Sequence, residues 1–278
     1  MVKTDTLENV NIQELTEAYN LGFSDYQLTL SMSEKKLQQI LKKNGYRAES
    51  SVGLFDREKL VGFVLNGVRG NYCYDSGTAI IPAYRGKGYA HLLLEKALSV
   101  LKDQAIHTWV LEVLSDNSRA INLYRGIGFT RQRGFNCYHT KTEKTRENKP
   151  ATALVLSRQK TIRIPQGECL PSWQSEEQAI IAGEIPVWDI QLEEKNVGTI
   201  CFDPATGSIA QLYIQDEERR KGFAKGAIIE AAKLCKAEQL RFINIDESYL
   251  PLNKLLLSLG FTCFTTQLEM TNTIRGKG

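Results

Sequence analysis

The sequence predicts an α/β (α+β) fold made of two tandem copies of one unit, each a mixed, mostly antiparallel twisted sheet flanked by helices. Three observations support this prediction. Residues 72–101 have the pattern of a strand, a glycine-bearing loop and an amphipathic helix. Residues 107–129 have the pattern of a buried strand followed by a second helix. The same arrangement returns with an offset of 132 to 134 positions, which indicates an internal repeat.

Composition and charge exclude several classes of protein. The 278 residues are 42% hydrophobic and 24% charged, as is ordinary for a globular protein with a core. The net charge of +3 and the lack of a long basic block argue against a nucleic-acid partner. We expect no membrane association, since no apolar run approaches ~20 residues and no signal-peptide pattern begins the chain. The six cysteines have neither CxxC nor zinc spacing, so we expect no metal, free thiols and a cytoplasmic location.

The elements ahead of the glycine-bearing loop can be assigned from apolar spacing and from turn residues. Helices are predicted over residues 11–22 and 33–44, and Gly45 suits the end of the second helix. Two strands are predicted over residues 51–55 and 60–68. The strand that leads into the loop, residues 72–81, is interrupted by a Ser-Gly pair in its middle.

The loop itself has the features of a phosphate-binding device. Gly86 and Gly88 allow the backbone to approach a ligand, and the helix that follows offers free N–H groups and a partial positive charge. Such an arrangement binds phosphate or pyrophosphate, although a plain turn is the alternative. The dinucleotide fingerprint fails because His91 occupies the third glycine position, and no Gly-Lys-Ser/Thr of a P-loop is present.

The segment after this helix is predicted to return to the sheet and then to form another helix. Residues 107–113 are almost continuously apolar around Glu112, which predicts a strand buried on both faces. Asn117 and its neighbours offer helix N-cap chemistry, and apolar residues up to Ile127 form one helical face. Residues 129–139 are predicted to form two closing strands around Gly134.

Two motifs now resemble one known family. Arg85-x-x-Gly88-x-Ala90, preceded by a strand that ends at Pro82, resembles the acyl-CoA pyrophosphate loop of the GCN5-related N-acetyltransferase (GNAT) superfamily. A second set of residues resembles the other signature of the same family, at the expected distance: Glu112-Val113, Asn117, Ala120, Leu123-Tyr124 and Gly128-Phe129. The resemblance covers roughly residues 8–142. It implies acetyl-CoA as co-substrate and transfer of the acetyl group to a primary amine, by direct attack in a ternary complex.

The resemblance also implies roles for individual residues. Tyr124 would be the general acid, with a core aromatic as the alternative, and Glu112 the general base, with a structural carboxylate as the alternative. Asp75 or a water relay could replace Glu112 as the base. Asn117 would cap its helix, contact CoA, or do both. The expected contacts to the cofactor are Ala79, Ile80, Ile81, Arg85, Gly86, Lys87, Gly88, Tyr89, Ala90 and Asn117.

The amine acceptor is expected to bind near the loop and helix start at residues 22–36. Phe23, Asp25 and Tyr26 are the candidates there. Asp25 would suit a cationic amine, although a helix cap is the alternative for a lone acid in a loop. We expect a small-molecule or peptide amine, and its identity stays open because acceptor sites in this fold are built from variable loops.

The second copy repeats the pattern but not the chemistry. The segment Arg219–Ala224 again has the pattern Arg-x-x-Gly-x-Ala, yet Glu112 and Tyr124 are replaced by Asn244 and Leu256 at an offset of 132. We therefore predict a catalytic domain over residues 1–142, a polar linker over 143–150, with an exposed hairpin as its alternative, and a degenerate copy over 151–278. Because a tandem fusion can replace a dimer of single units, we expect a monomer or a homodimer.

A different class of function also fits the pattern. The chain could be a non-catalytic acyl-CoA-binding or protein-interaction module in which both copies serve assembly. Retention of Glu112 and Tyr124 in one copy only argues against this alternative, because drift should erode both copies alike.

Overall fold

The chain forms two compact units that do not coincide with the two halves of its length. The computed structural model describes residues 2–25, 32–150 and 152–274. Unit 1 consists of Met1–Gln132 together with Leu268–Gly278, and unit 2 consists of Arg133–Gln267. Each unit combines a mostly antiparallel sheet with helices, which confirms the predicted fold class.

The helices and strands between residues 11 and 127 follow the predicted order with small shifts at their ends. The first half of the chain contains β1 Val2–Thr6, α1 Ile12–Gly22, α2 Glu34–Asn44, β2 Val52–Asp56, β3 Lys59–Arg69, β4 Tyr72–Ile80, α3 Tyr89–Asp103, β5 Thr108–Leu114 and α4 Ser118–Gly126. The remainder contains β6 Thr130–Lys141, α5 Thr142–Arg146, β7 Val155–Arg158, α6 Glu177–Ala182, β8 Val187–Leu192, β9 Lys195–Asp203, β10 Ser208–Ile214, α7 Phe223–Leu234, β11 Gln239–Asp246, α8 Leu250–Ser258 and β12 Thr262–Thr273.

In unit 1 the strands are ordered β1-β2-β3-β4-β5-β12. The pairs from β1 to β4 are antiparallel, whereas β4 and β5 are parallel. Two cores form in this unit. One contains residues of α3 and α4 packed with the sheet around Trp109, and the other contains residues of α1 and α2 packed around Phe63.

In unit 2 the strands are ordered β6-β11-β10-β9-β8-β7, and β10 and β11 form the parallel pair. Its main core packs α7 and α8 with the sheet around Phe202 and Phe242. A second, small core holds Ile180 of α6. Unit 2 thus has the short helix α6 where unit 1 has the longer helices α1 and α2.

Local caps explain why the first two helices begin where the sequence predicts. The Asn11 side chain accepts a hydrogen bond of 2.9 Å from the Glu14 amide, and Ser33 accepts one of 3.3 Å from the Lys36 amide. Each contact satisfies one of the free N–H groups of a first turn. Gly45 ends α2 at φ +76°, a left-handed conformation that glycine adopts at low cost.

Two predictions about the middle of the chain are wrong. The segment 143–150 is not a plain linker, because Thr142–Arg146 forms α5 with Thr145 fully buried, and Arg146 donates hydrogen bonds to the carbonyls of Ala232 and Cys235. Nor does Gly134 divide two strands, since β6 is continuous. Gly134 instead allows close approach of Glu247, whose carboxylate would lie 2.4 Å from a Cβ at this position.

The unit boundaries also differ from the predicted limits of 1–142 and 151–278. Each repeat contributes its closing strand to the other unit, since β6 from Arg133 onward belongs to unit 2 and β12 from Leu268 onward belongs to unit 1. In unit 1, Met270 and Ile274 join the core, and the Asn272 side chain donates to the Ile127 carbonyl at 2.8 Å. Equivalent strands of a repeat present similar patterns, so an exchange leaves both cores filled.

Two smaller elements complete the description. The sequence analysis does not predict β1, and α6 follows one 3₁₀ turn, Trp173–Ser175. Among the described helices, none combines the length and the apolar character that crossing a bilayer requires.

Candidate active site

The candidate site lies in unit 1, where two parallel strands separate. The pairing of β4 with β5 runs from Tyr72 opposite Thr108 to Asp75 opposite Leu111 and ends there, although both strands continue. The pairing of β4 with β3 shifts register at Ser76, the position of a β-bulge. The Ser-Gly pair that interrupts the predicted strand therefore forms a bulge, and the sheet opens just beyond Asp75.

The glycine-bearing loop connects β4 to α3 beside this opening. Gly86 has φ +76° and Gly88, the N-cap of α3, has φ +78°, a region that other residues rarely adopt. A Cβ at either position would meet nothing within 4 Å, so the glycines are required by conformation rather than by crowding. Among the described residues, no acceptor is bound by the amides of residues 86–90. They can therefore serve an anion.

Arg85 holds the loop in place. Its Nε donates to the Ile80 carbonyl at 2.8 Å, and Nη2 donates to the Gly22 carbonyl at 2.7 Å. The guanidinium also forms a two-pronged ion pair with Asp25, at 2.5 and 3.0 Å, and this hydrogen bonding lowers the pKa of Asp25. This ion pair would have to break before Asp25 could bind an acceptor amine or Arg85 could bind a pyrophosphate.

The remaining predicted cofactor contacts surround the loop. Lys87 is exposed, and its Nζ lies 3.3 Å from the Ala83 carbonyl and 5.5 Å from the centre of the Tyr84 ring. Tyr89 and Ala90 are half-buried and begin α3. Ala79, Ile80 and Ile81 are buried at the end of β4.

A buried carboxyl–phenol pair lies where the strands separate. The Tyr124 hydroxyl, from α4, donates to Asp75 Oδ2 at 3.3 Å, and both side chains are less than a tenth exposed. Burial raises the pKa of Asp75 to about 6, against hydrogen bonds from Thr78 at 2.6 Å, from the Gly77 amide at 2.9 Å and from Tyr124, all of which lower it. Sequence analysis placed Tyr124 and Asp75 in the site but not in contact.

Glu112 lies on β5 with a partner that the sequence analysis missed. The Tyr74 hydroxyl donates to Glu112 Oε2 at 2.5 Å. Burial lowers the pKa of Lys43, at the end of α2, while the nearby Glu112 carboxylate acts in the opposite direction. In the strand register Tyr74 lies opposite Val110, diagonal to Glu112, so only a knowledge of the register could have paired the two residues.

Two further residues of the predicted site make structural contacts. Asn117 is the N-cap of α4 and accepts a hydrogen bond of 3.1 Å from the Ala120 amide, which confirms its capping role. The Phe23 ring packs beside Tyr19, with ring centres 4.7 Å apart, at the edge of the α1–α2 core. Tyr26 lies outside the described residues.

In the part of the chain that the structure describes, His, Cys, Asp and Glu side chains form no group of three or more that could hold a metal ion. The polar groups of the site are the loop amides, two carboxyls and two phenols. Such a set can bind an anion and move protons.

Comparisons with known proteins agree with this arrangement. The Acetyltransferase (GNAT) family profile matches residues 12–129. A ribosomal protein bS18-alanine N-acetyltransferase of Haemophilus influenzae is 31% identical over 116 residues, which are 42% of this chain and 79% of that protein. N-alpha-acetyltransferase 30 of Schizosaccharomyces pombe is 29% identical over 120 residues, 38% of this chain and 78% of that protein. The chain therefore belongs to the GNAT family of acetyltransferases.

The two-unit architecture also has a solved counterpart. A tandem GNAT protein from the clavulanic acid biosynthesis pathway matches with a TM-score of 0.70 at 10% identity, covering 100% of both chains. At this identity the match concerns the fold alone. It shows that the likeness in fold extends over the whole chain, beyond the residues that the family profile matches.

Proposed function

We propose that unit 1 transfers the acetyl group of acetyl-CoA to a primary amine and that unit 2 takes no part in this chemistry. Membership of the GNAT family supports acetyl transfer. The observation that carries the finer proposal is the Tyr124–Asp75 pair, because it brings a proton donor and a carboxyl of raised pKa to the point where β4 and β5 separate. The acceptor is a small-molecule or peptide amine. The relatives named above support a peptide amine, since their names specify an alanine and an α-amine.

Binding of the donor follows from the loop and from the strand opening. The amides of residues 86–90 would receive the pyrophosphate at the start of α3, and Lys87 would add a positive charge. Arg85 would act mainly by holding the loop against β4 and the end of α1. The pantetheine arm would run along the end of β4, beyond the point where pairing with β5 stops. Asn117 would fix the start of α4 beside it.

The reaction is a direct transfer with two proton movements. The amine nitrogen attacks the thioester carbonyl, so that a C–N bond forms and the C–S bond breaks. The departing thiolate takes the proton of the Tyr124 hydroxyl. The amine proton passes to Glu112 or to Asp75, directly or through water. Asp75 suits this role because its pKa of about 6 makes it a stronger base than an exposed aspartate while leaving it ionised at neutral pH.

The experiment that tests this proposal is a calorimetric titration of the full chain with acetyl-CoA, read for stoichiometry. We expect one site per chain. Gly88→Val should abolish binding, because valine is strained at φ +78° and relief of that strain would move the loop amides out of their present geometry. Gly222→Val is the matched control, since Gly222 caps α7 at φ +86° in unit 2 and a Cβ there also meets nothing within 4 Å.

The number of acetyl-CoA sites and the effects of the two glycine variants decide which unit binds the donor. One site that is lost in Gly88→Val and kept in Gly222→Val supports the proposal. Two sites, or loss in Gly222→Val only, would assign donor binding to unit 2. No binding by the wild-type chain would contradict the enzyme and favour a protein-interaction module. Turnover of an amine by the Gly88→Val variant at the wild-type rate would equally exclude the proposed loop.

A further inference from the structure

Unit 2 contains a cavity of about 520 Å³ in the place where its own parallel strands separate. Pairing of β10 with β11 is limited to Ser208 opposite Arg241 and Ile209 opposite Phe242. The cavity lies beyond this pairing and is closed on one side by the segment 165–172, whose Leu170 and Pro171 carbonyls accept hydrogen bonds from Arg133. Its volume is within the range of small-molecule sites, roughly 300–1,000 Å³.

The walls of the cavity are largely apolar. Leu212 and Ile214 of β10 face it together with Phe242 of β11, and α8 contributes Leu252 and Leu255. Such walls favour an aliphatic or aromatic ligand because its apolar surface leaves water on binding.

Two buried polar atoms on residues that line the cavity, Asn244 Nδ2 and Ser172 Oγ, have no hydrogen-bond partner within the described part of the chain. Asn244 is 5% exposed, and its Oδ1 accepts from Gln267 at 3.0 Å while its Nδ2 has no acceptor. Ser172 is 1% exposed, and its hydroxyl has neither donor nor acceptor. Buried polar groups are almost always hydrogen-bonded, so two exceptions on one cavity indicate a ligand that supplies the missing partners.

The charges around the cavity do not favour an anion. Arg219 is held by Glu168 at 2.8 Å and by Asp216 at 2.7 Å, and Glu218 pairs with both Lys195 and Lys221. Asp246 of the wall pairs with Arg133 at 3.5 Å, and Glu217 precedes Arg220 and Lys225 in the adjoining turn. A pyrophosphate here would have to displace Glu168 and would lie against a turn of three acids, Asp216–Glu218.

We propose that this cavity binds an uncharged, mainly aliphatic molecule that carries an amide. The aliphatic part would lie on the apolar walls. The amide carbonyl would accept from Asn244 Nδ2, and the amide N–H would donate to the Ser172 hydroxyl. This ligand is distinct from acetyl-CoA, and its binding does not depend on the function proposed for unit 1.

The test uses octanamide as the probe, titrated calorimetrically into the full chain. We expect one site per chain. Ser172→Ala should weaken binding about three- to tenfold, as expected for the loss of one hydrogen bond. Asn244→Asp should weaken it at least as much, because it removes the donor while keeping a residue that tolerates φ +58°. Ser258→Ala is the control, since Ser258 is an exposed serine of α8 that does not line the cavity.

Further titrations decide between ligand classes. Leu252→Trp fills the cavity and should abolish octanamide binding, with circular dichroism used to verify that the variant folds. Octanoate should bind more weakly than octanamide, since its carboxylate lacks the N–H and carries a charge. The proposal is overturned if octanamide does not bind, if Ser172→Ala and Leu252→Trp leave its affinity unchanged, or if octanoate binds as tightly. Coenzyme A binding that Leu252→Trp abolishes would also overturn it, because the cavity would then be a nucleotide site.

Discussion

The loops of the two units have nearly the same backbone and different chemistry. Gly86 and Gly88 have φ +76° and +78°, and the residues 134 positions later, Arg220 and Gly222, have φ +64° and +86°. In both loops the arginine ahead of them donates its Nε to the carbonyl that ends the preceding strand, at 2.8 Å in unit 1 and 3.3 Å in unit 2. The loop conformation therefore survives even where a glycine has been lost.

The two units differ in the groups around the loop that could bind a ligand or transfer a proton. The turn before the loop is Pro82–Tyr84 in unit 1 and Asp216–Glu218 in unit 2. At an offset of 134, the carboxyl of Asp75 is replaced by Ile209, which is 1% exposed. At an offset of 132, Tyr124 is replaced by Leu256, which is fully buried. The hydrogen-bonded Asp75 and Tyr124 of unit 1 thus correspond to two buried apolar residues of unit 2, Ile209 and Leu256.

The second polar pair has changed in a different way. Tyr74 is replaced by Ser208, and the residue 132 positions after Glu112 is Asn244, which lies at φ +58° where the β11–β6 register shifts. The comparison teaches that the bulge, the loop and the strand opening are properties of the fold. The side chains that the proposed proton transfers require, those of Asp75, Glu112 and Tyr124, are replaced at the equivalent positions of unit 2.

The largest expected effect concerns the pair Tyr124 and Leu256. Tyr124→Phe removes the hydroxyl that would protonate the leaving thiolate, so we expect turnover to fall by about two to four orders of magnitude. Acetyl-CoA affinity should stay within about twofold, because the ring and its packing against Phe129 are retained. The measurements are steady-state kinetics with an amine acceptor and calorimetry with acetyl-CoA.

The control for this substitution is Leu256→Met in unit 2, which should change neither quantity, because a volume-conserving core change costs little. Equal losses of turnover and of acetyl-CoA affinity in Tyr124→Phe would indicate that Tyr124 has a packing role instead of a catalytic one. Unchanged turnover would leave protonation of the thiolate to water and remove the main chemical difference between the units.

The second prediction concerns the pH dependence of folding stability that follows from the raised pKa of Asp75. Its folded-state pKa of about 6 is above the ordinary value of 3.8, so the folded protein binds this proton more tightly than the unfolded chain. The resulting stabilisation is fully present below pH 3.8 and is lost as the pH rises through 6, at a cost of at most about 3 kcal/mol. Asp75→Asn does not titrate. Relative to wild type, this variant should therefore gain up to that amount between pH 4 and pH 7.

Urea unfolding at several pH values measures this gain as a difference from wild type. Ile209→Val at the equivalent position of unit 2 is the control, since its cost should be the same at every pH. A difference between Asp75→Asn and wild type that does not vary from pH 4 to pH 7 would show that burial does not perturb this carboxyl.

Much of the fold and part of the site could be predicted from the sequence. Local signals were sufficient where one residue determines a conformation, as Ser33 does at the start of α2 and Gly88 at the start of α3. The repeat was visible because offsets are read directly from the sequence. Tyr124 was assigned to the site by its position within a recognisable motif, whereas Asp75 was named only as an alternative base on the strand before the loop.

The rest depended on tertiary contacts. The exchange of closing strands could not be predicted, because β6 and β12 are equivalent elements and the apolar pattern of either suits both units. The Arg85–Asp25 pair depends on where α1 ends relative to the loop, and it joins residues 60 positions apart. The polar segment that forms α5 gave no apolar periodicity, since its buried face consists of threonines.

The smallest expected effect concerns Gly86 and Arg220, which share a left-handed conformation. A residue with a Cβ is strained there by roughly 1–2 kcal/mol, partly offset by the lower entropy of its unfolded chain. Arg220 is exposed, so Arg220→Gly should relieve this strain without losing packing and raise stability by about 0.5 to 1 kcal/mol. Gly86→Ala should lower stability by about 1 kcal/mol.

Urea unfolding of both variants measures these values, and Glu217→Gly, a neighbouring exposed residue outside the left-handed region, should only destabilise. If Arg220→Gly gains nothing while Gly86→Ala abolishes acetyl-CoA binding, backbone strain is not the reason for glycine at 86. The space that the missing side chain leaves for a ligand would then be the reason, and the two loops would differ in their use rather than in their stability.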